Sequence, residues 1–317
     1  MKLLPFIHLR SQSSYSLSES ALKIEKLVDL AFINKMPAIA LTDNNNLFGV
    51  LEFSIEAVKK GIQPIIGTSI NLLDVKEKYQ FSQINFLVKN EIGYRNLLYL
   101  SSISHTKQDE NVGIYIDDIS NHSEGLICYM GGEFNPLLLL HIQKKNEEIK
   151  RIIHFFVNTF KSDFYFEIQR INDSKIDNFE EEFINLSKTN NIPLIASNNL
   201  KFQSKSDYNA HDALLCIVQK ATINQSNRIV SNPETYFKNT NEMYELFKDL
   251  PDIISNNFKV AQKCQFYPVE ISPKLPKFVT TQELSENELL IKDSKDGLNK
   301  KIKSLNLNEK IYSERLD

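Results

Sequence analysis

The chain has 317 residues, of which 42% are hydrophobic and 24% charged, and its formal net charge is −3. This length suits one large α/β domain, or one such domain with an appendage. The charge balance excludes the globally basic surface typical of nucleic-acid-binding proteins, and no stretch reaches the roughly 20 apolar residues that a membrane-spanning helix needs.

Short apolar runs of strand length alternate with helical patterns up to about residue 220. The runs lie at 3–7, 37–42, 64–67, 84–88, 126–130, 164–168 and 192–196. The helical patterns lie at 24–31, 48–58, 94–104, 136–160, 178–188 and 208–218. Runs that are apolar on both faces are typical of parallel strands covered by helices. Their repetition predicts a parallel α/β barrel or a doubly wound sheet.

This rhythm changes in the last third of the chain. Two short helices are predicted at 240–247 and 253–264, followed by an extended linker at 269–281 that contains Pro273 and Pro276. An amphipathic helix is predicted at 288–302, and 308–317 has the pattern of the first turns of another helix. Because this last apolar stripe has nothing to pack against, we expect the sequence to be the front end of a longer protein.

Polar clusters follow several of the predicted strands, at His8–Gln12, Asp43–Asn46, Thr68–Ser69 and Asn198–Lys201. In a barrel or a doubly wound sheet, ligands bind at the carboxyl ends of the strands. The clusters therefore lie where a site is expected. The alternative is that they only form turns, which Asn, Asp and Ser favour for local reasons, and spacing alone favours this alternative.

Several segments resemble, in the same order, the polymerase-and-histidinol-phosphatase (PHP) domain that begins the alpha subunits of bacterial replicative DNA polymerase III. They are "FIHLRSQSSYSLSES", "MPAIALTDNNNLFGVLEF", "GIQPIIGTSINL", "LVKNEIGYRNLLYLSS", "IPLIASNN" and "AHDALLCI". The resemblance implies a distorted seven-stranded βα barrel followed by a mainly helical C-terminal extension. It places the PHP domain at 1–270, and a linker with the truncated start of the polymerase palm region at 271–317.

The resemblance also implies a site. Metal-binding members of the family hold a cluster of divalent metals at the strand ends with histidines and acids, donors that suit such ions. The eight matched positions carry one acid and no histidine in this chain, and one further ligand, near Tyr129, cannot be matched. The eight are Arg10, Gln12, Glu19, Asn44, Ser69, Gln83, Asn199 and Lys201.

These substitutions predict a vestigial pocket with no catalytic and no metal-binding residue. Arg and Lys stay protonated at ordinary pH and repel metal ions. We therefore expect Arg10 and Lys201 to supply the positive charge that metals supply elsewhere in the family. Asp43 and Glu19 are their expected partners. His8 is expected to pack or to form a hydrogen bond inside the protein.

The function that the resemblance implies is non-catalytic, within a DNA-directed DNA polymerase. The domain would be a scaffold that docks the proofreading exonuclease subunit, while Mg²⁺ ions would be held by aspartates of a longer chain. That longer chain would also meet the sliding clamp, the clamp loader and primer-template DNA. The alternative is a metal-dependent phosphoesterase or exonuclease of the PHP superfamily. A third possibility is a stand-alone binding module.

The cysteines and the N-terminus predict the compartment. Cys128, Cys216 and Cys264 lie far apart with no CxxC pair, and we expect reduced thiols. The N-terminal residues lack a signal-peptide pattern, because Pro5 and His8 interrupt the apolar run. We therefore expect a cytoplasmic protein that does not enter a membrane.

Overall fold

A computed structural model describes residues 4–77, 80–106, 111–273, 275–276, 278, 284–306 and 311–312. The chain divides into two compact units, Met1–Val269 and Glu270–Asp317. The first unit contains one sheet whose strand order follows the chain. Its strands are β1 Ala38–Asn44, β2 Gln63–Glu77, β3 Gln80–Val88, β4 Leu126–Gly131, β5 Phe164–Gln169 and β6 Leu194–Ser197.

Helices connect most of these strands and follow the last one. In the first unit they are α1 Ile24–Ile33, α2 Val50–Lys59, α3 Glu91–Thr106, α4 Ile116–Ser120, α5 Pro136–Ile142, α6 Asn146–Phe160, α7 Ser174–Asn190, α8 Tyr208–Gln219, α9 Thr240–Leu246 and α10 Pro251–Lys263. Among the described residues, every helix is too short or too polar to cross a membrane.

The sheet is mixed, whereas the continuous apolar runs predicted parallel strands. β3 runs antiparallel to both β2 and β4, and the other neighbouring strands are parallel. Only two residues separate β2 from β3, and a connection this short can join only antiparallel strands. The seven residues of β1 are nevertheless all buried, as expected for a strand that is covered on both faces.

The sheet has six strands in the described part of the chain, and the first predicted strand is not among them. Residues 8–12 run beside β1, where His8 O and Ser11 O accept from the backbone of β1 at 2.9 and 2.8 Å. Gln12 N donates to Leu200 O, just past β6, at 3.0 Å. The N–H of Ser11 donates instead to the side chain of Thr42, which interrupts a regular ladder.

The prediction of one helix over 136–160 is also wrong, because α5 and α6 are separate helices. Lys144, which lies between them, has a φ of 59°. A left-handed residue cannot continue a right-handed helix. The break turns α6 so that its apolar stripe, including Ile149 and Phe156, joins the core.

A small second core lies on the inner face of the sheet. It joins apolar side chains from all six strands with Ile7 and Leu9 of the N-terminal segment, and with Val260, Ala261 and Cys264 at the end of α10. Strands can share one such cluster only if the sheet curls around it. The three cysteines are buried and free of disulfides, as predicted.

The second unit contains α11, Glu286–Leu305. Ser285 caps this helix by accepting from Glu288 N, and Glu288 accepts from Ser285 N in return, which is a capping box. The described residues of the predicted linker form neither helix nor strand. Of the further helix predicted at 308–317, all but residues 311–312 lie outside the described residues.

Candidate functional site: the polar end of the inner face

The inner face of the curled sheet changes from apolar to polar along the strands. Side chains two residues apart share a face, so Ala40 of β1 shares the inner face with Asn44, and Tyr165 of β5 shares it with Glu167 and Gln169. The same alternation brings in Ser69, Gln83, Asn85 and Ser197 from other strands. Because β3 runs against its neighbours, its polar residues come from the beginning of that strand. The two-residue alternation of side chains along each strand therefore brings these polar residues together at one end of the inner face.

A buried ion pair occupies the centre of this end. Arg10 Nη1 lies 2.8 Å from Glu167 Oε2, and the side chains are 1% and 0% exposed. The other carboxylate oxygen of Glu167 accepts from Ser197 Oγ, and from Gln169 Nε2 at 3.1 Å. Arg10 Nη2 approaches Gln83 Oε1 at 3.4 Å. Every oxygen of this carboxylate is therefore engaged by protein donors.

The predicted partners of the two cations are wrong. Asp43 accepts from Ser13 N, Ser13 Oγ and Ser16 Oγ at 2.6–2.7 Å. Burial raises the pKa of Asp43, and these hydrogen bonds oppose the increase. Glu19 accepts from Asn44 Nδ2, and Lys201 forms no ion pair with any residue that the structure describes. Neutral donors satisfy both acids, so neither needs a cation.

The remaining predicted residues form chains of amide and hydroxyl hydrogen bonds. Gln12 Nε2 donates to Asn44 Oδ1 at 3.1 Å, and Ser69 Oγ donates to Asn85 Oδ1 at 2.5 Å. Asn199 has a φ of 44°, and its buried Oδ1 has no partner among the described residues. Of the predicted set, Glu19, Gln83, Asn199 and Lys201 line an open cleft, and the others lie buried behind it.

The donors at this end do not fit a divalent metal cluster. Arg10 places a permanent positive charge at its centre, and a metal ion beside it would be repelled. Glu167 is the carboxylate in the best position to bind a metal, but its oxygens are held by Arg10, Ser197 and Gln169. No cluster of three His, Cys, Asp or Glu suited to a metal occurs among the described residues.

Glu167 was missed by the sequence prediction. Its signal is an acid inside the otherwise apolar run Phe164–Ile168, at the carboxyl end of a predicted strand. The unmatched ligand was predicted near Tyr129, which lies on the neighbouring strand β4. Tyr129 instead donates its hydroxyl to Leu9 O at 2.7 Å, and burial raises the pKa of this phenol well above its usual value. Tyr129 therefore remains a neutral donor.

His8 is a buried structural residue, as predicted. Its Nε2 donates to the carbonyl of Lys238 at 2.8 Å, and its ring packs between Phe6 and Phe237. Burial lowers its pKa from 6.5 to about 4, although the bond to Lys238 opposes this decrease. The folded chain thus keeps His8 neutral.

This pKa predicts a loss of stability in acid. Between pH 6.5 and about 4 the unfolded chain binds a proton at His8 that the folded chain does not bind. The contribution of His8 is complete above pH 6.5 and is lost as the pH falls, by about 3 kcal/mol in total. Urea unfolding of the wild type and of His8→Gln across this range measures it. We expect a shallower pH dependence for the variant, and equal slopes would contradict the assignment.

Comparisons with known proteins find one matching family model and several curated relatives. The family model described as "PHP domain" matches residues 8–171. The "DNA polymerase III subunit alpha" of Rickettsia bellii is 43% identical over 298 residues, which cover 92% of this chain and 25% of that protein. The protein of the same name from Caulobacter vibrioides is 36% identical, covering 98% and 28%. The chain thus spans about a quarter of the length of these relatives.

Proposed function

Because the chain belongs to the PHP domain family, we propose that it is the N-terminal scaffold region of a replicative DNA polymerase alpha subunit. Residues 1–270 would form the PHP domain, with the segment at 5–12 in the place of a seventh strand. Residues 271–317 would be the linker and the start of the palm region, in a mainly helical extension. The names of the curated relatives support this proposal.

The scaffold role rests on one observation, the buried pair between Arg10 and Glu167. A hydrolase of the PHP type needs metals at this position, and the guanidinium opposes their binding. The role left to the domain is to hold other parts of the replication machinery. Its proposed partner is the proofreading exonuclease subunit.

In this proposal the chain is one part of a complete polymerase. Aspartates of the palm would hold the Mg²⁺ ions for nucleotide addition, and no residue of this chain has that role. The sliding clamp, the clamp loader and primer-template DNA would bind the complete protein. Its compartment would be the cytoplasm, in keeping with three free cysteines.

Two measurements on the purified chain test the proposal. After equilibration with Mn²⁺ and Zn²⁺ and removal of loosely held ions, we expect far less than one metal per chain by elemental analysis. Mixed with the proofreading exonuclease subunit of the same organism, the chain is expected to co-elute with it in size-exclusion chromatography. A stoichiometric metal content would instead favour the phosphoesterase alternative. Separate elution of the two proteins would contradict the docking role.

A further inference from the structure

Helix α8 is amphipathic in the reverse of the usual sense. Its buried side includes His211 and Asp212, which are 1% and 3% exposed. Ala210, Ala213 and Ile217 are exposed to solvent instead, and Ile217 is 74% exposed. A surface helix normally turns its apolar stripe toward the core. The reversed arrangement leaves an apolar stripe on the surface of the protein.

Hydrogen bonds on the buried side fix the rotation of α8 about its axis. The two ring nitrogens of His211 bond to Ser231 Oγ at 2.6 Å and to Glu19 O at 2.8 Å. Asp212 accepts two bonds of 2.7 Å from Arg228. A rotation that buried the apolar stripe would break these bonds and leave polar groups unpaired. The stripe therefore stays on the surface.

The stripe continues onto the segment that follows α8. Gln219 Nε2 donates to Ile229 O at 2.9 Å, and Gln219 Oε1 accepts from Ile229 N at 2.6 Å, so this segment lies against the end of the helix. Val218, Ile229 and Val230 are 51%, 70% and 51% exposed. Exposed apolar groups that adjoin one another mark interaction surfaces. We call this surface the apolar face, and it consists of Ala210, Ala213, Leu214, Ile217, Val218, Ile229 and Val230.

The part of the apolar face on α8 is complementary in shape to a second copy of itself. Ala210, Ala213, Leu214 and Ile217 follow the i, i+3, i+4, i+7 spacing and share one side of the helix. Two small residues are thus followed by two large ones. In an antiparallel pair of these helices, Ala210 lies opposite Ile217. Ala213 likewise lies opposite Leu214. Each large side chain meets a small one, and the alanines let the two axes approach to about 8 Å.

The charges along α8 also suit an antiparallel pair. The apolar face itself is uncharged, so two copies of it do not repel each other. Asp207 lies at the start of the helix and Lys220 at its end. Antiparallel pairing places Asp207 of one copy at the level of Lys220 of the other, whereas parallel pairing places like charges at the same level.

We propose that the apolar face is an interface between two copies of this chain, related by a two-fold axis that passes between Ala213 and Leu214. A standard interface takes about 800 Å² from each partner. The aliphatic side chains form the apolar centre, and the exposed residues 224–227 extend it as a polar rim. The interface is independent of the proposed scaffold role, because it uses neither the ion pair at Arg10 nor another protein.

Sedimentation velocity of the purified chain across the micromolar range tests the proposal. We expect the monomer to convert to a dimer as the concentration rises. Ile217→Lys places a charge opposite Ala210 in each half of the interface, and it is expected to weaken dimerisation by at least about tenfold. Ile33→Lys changes an isoleucine that is 69% exposed at the end of α1. It is the matched control and should leave dimerisation unchanged.

Disulfide formation locates the two-fold axis. Ala213→Cys places one thiol of each copy beside the axis, and we expect mild oxidation to link the two copies. Asn209→Cys is the control, at an exposed position on the same helix. Antiparallel pairing puts the two copies of residue 209 at opposite ends of the interface, beyond the Cα separation of about 7 Å that a disulfide can span. The three native cysteines are buried.

Several outcomes would overturn the proposal. A chain that stays monomeric at high concentration contradicts it, as does a dimer that Ile217→Lys does not weaken. Equal linking of the two cysteine variants would contradict antiparallel pairing. If the chain is monomeric and Ile217→Lys abolishes its co-elution with the exonuclease subunit, the apolar face belongs to that partner, and the dimer fails while the scaffold role stands. A dimer that does not bind the exonuclease would have the opposite meaning. Circular dichroism of each variant checks that the fold is intact.

Discussion

Glu167→Gln is expected to lower the free energy of unfolding by about 3–5 kcal/mol. The substitution is nearly isosteric, so it changes charge and leaves the packing of β5 in place. It leaves the guanidinium of Arg10 without a charged partner, because this 1% exposed side chain has its 2.8 Å contact with the carboxylate of Glu167. A buried charge without a partner keeps its full desolvation cost. Urea unfolding followed by circular dichroism measures the loss.

The double variant Arg10→Gln with Glu167→Gln separates the charge effect from general damage. It removes both charges and keeps amide groups that can bond to Ser197 and Gln83. We expect it to be more stable than Glu167→Gln alone, because the costly state is one unpaired charge rather than the absence of the pair. If the double variant instead loses the sum of the two single losses, the two groups are not coupled and the ion pair does not organise the site.

The location of this site was predictable from the sequence, but its pairing was not. Alternation within strands places Asn44 and Glu167 on the inner face, and this rule needs only local information. The contact between Arg10 and Glu167 joins residues 157 positions apart. It depends on how far the sheet curls, and no local pattern records that. The serines that satisfy Asp43 lie in a loop whose course depends on the same curl.

The direction of β3 shows a second limit of the sequence argument. A run that is apolar on both faces indicates burial, and burial does not specify whether neighbours are parallel. The short connection between β2 and β3 carries that information. The apolar run at 84–88 does not include Gln83, and only the family resemblance assigned this residue to the pocket. In the structure it closes the polar end opposite Arg10.

One side chain of α10 forms hydrogen bonds to the free edge of strand β6. Asn257 Oδ1 accepts from Ala196 N at 2.9 Å, and its Nδ2 donates to Ala196 O at 2.7 Å and to Ile7 O at 3.0 Å. The side chain thus pairs with β6 as a neighbouring strand would, and it ties the N-terminal segment to the same point. Asn257 is 1% exposed, so water cannot take over these bonds.

Asn257→Ala is therefore expected to cost about 3–5 kcal/mol, since it leaves three backbone groups buried without partners at about 1–3 kcal/mol each, partly relieved by relaxation. Asn256→Ala is the matched control on the same helix. Its half-buried side chain donates one bond, to Leu194 O at 2.9 Å, and its loss should cost about 1 kcal/mol.

Hydrogen exchange distinguishes a local loss of hydrogen bonds at β6 from a general loss of stability. The amide of Ala196 should lose protection in Asn257→Ala more than the loss of global stability explains, and should keep it in Asn256→Ala. Equal protection in the two variants would mean that the N-terminal segment, rather than Asn257, holds the edge of the sheet.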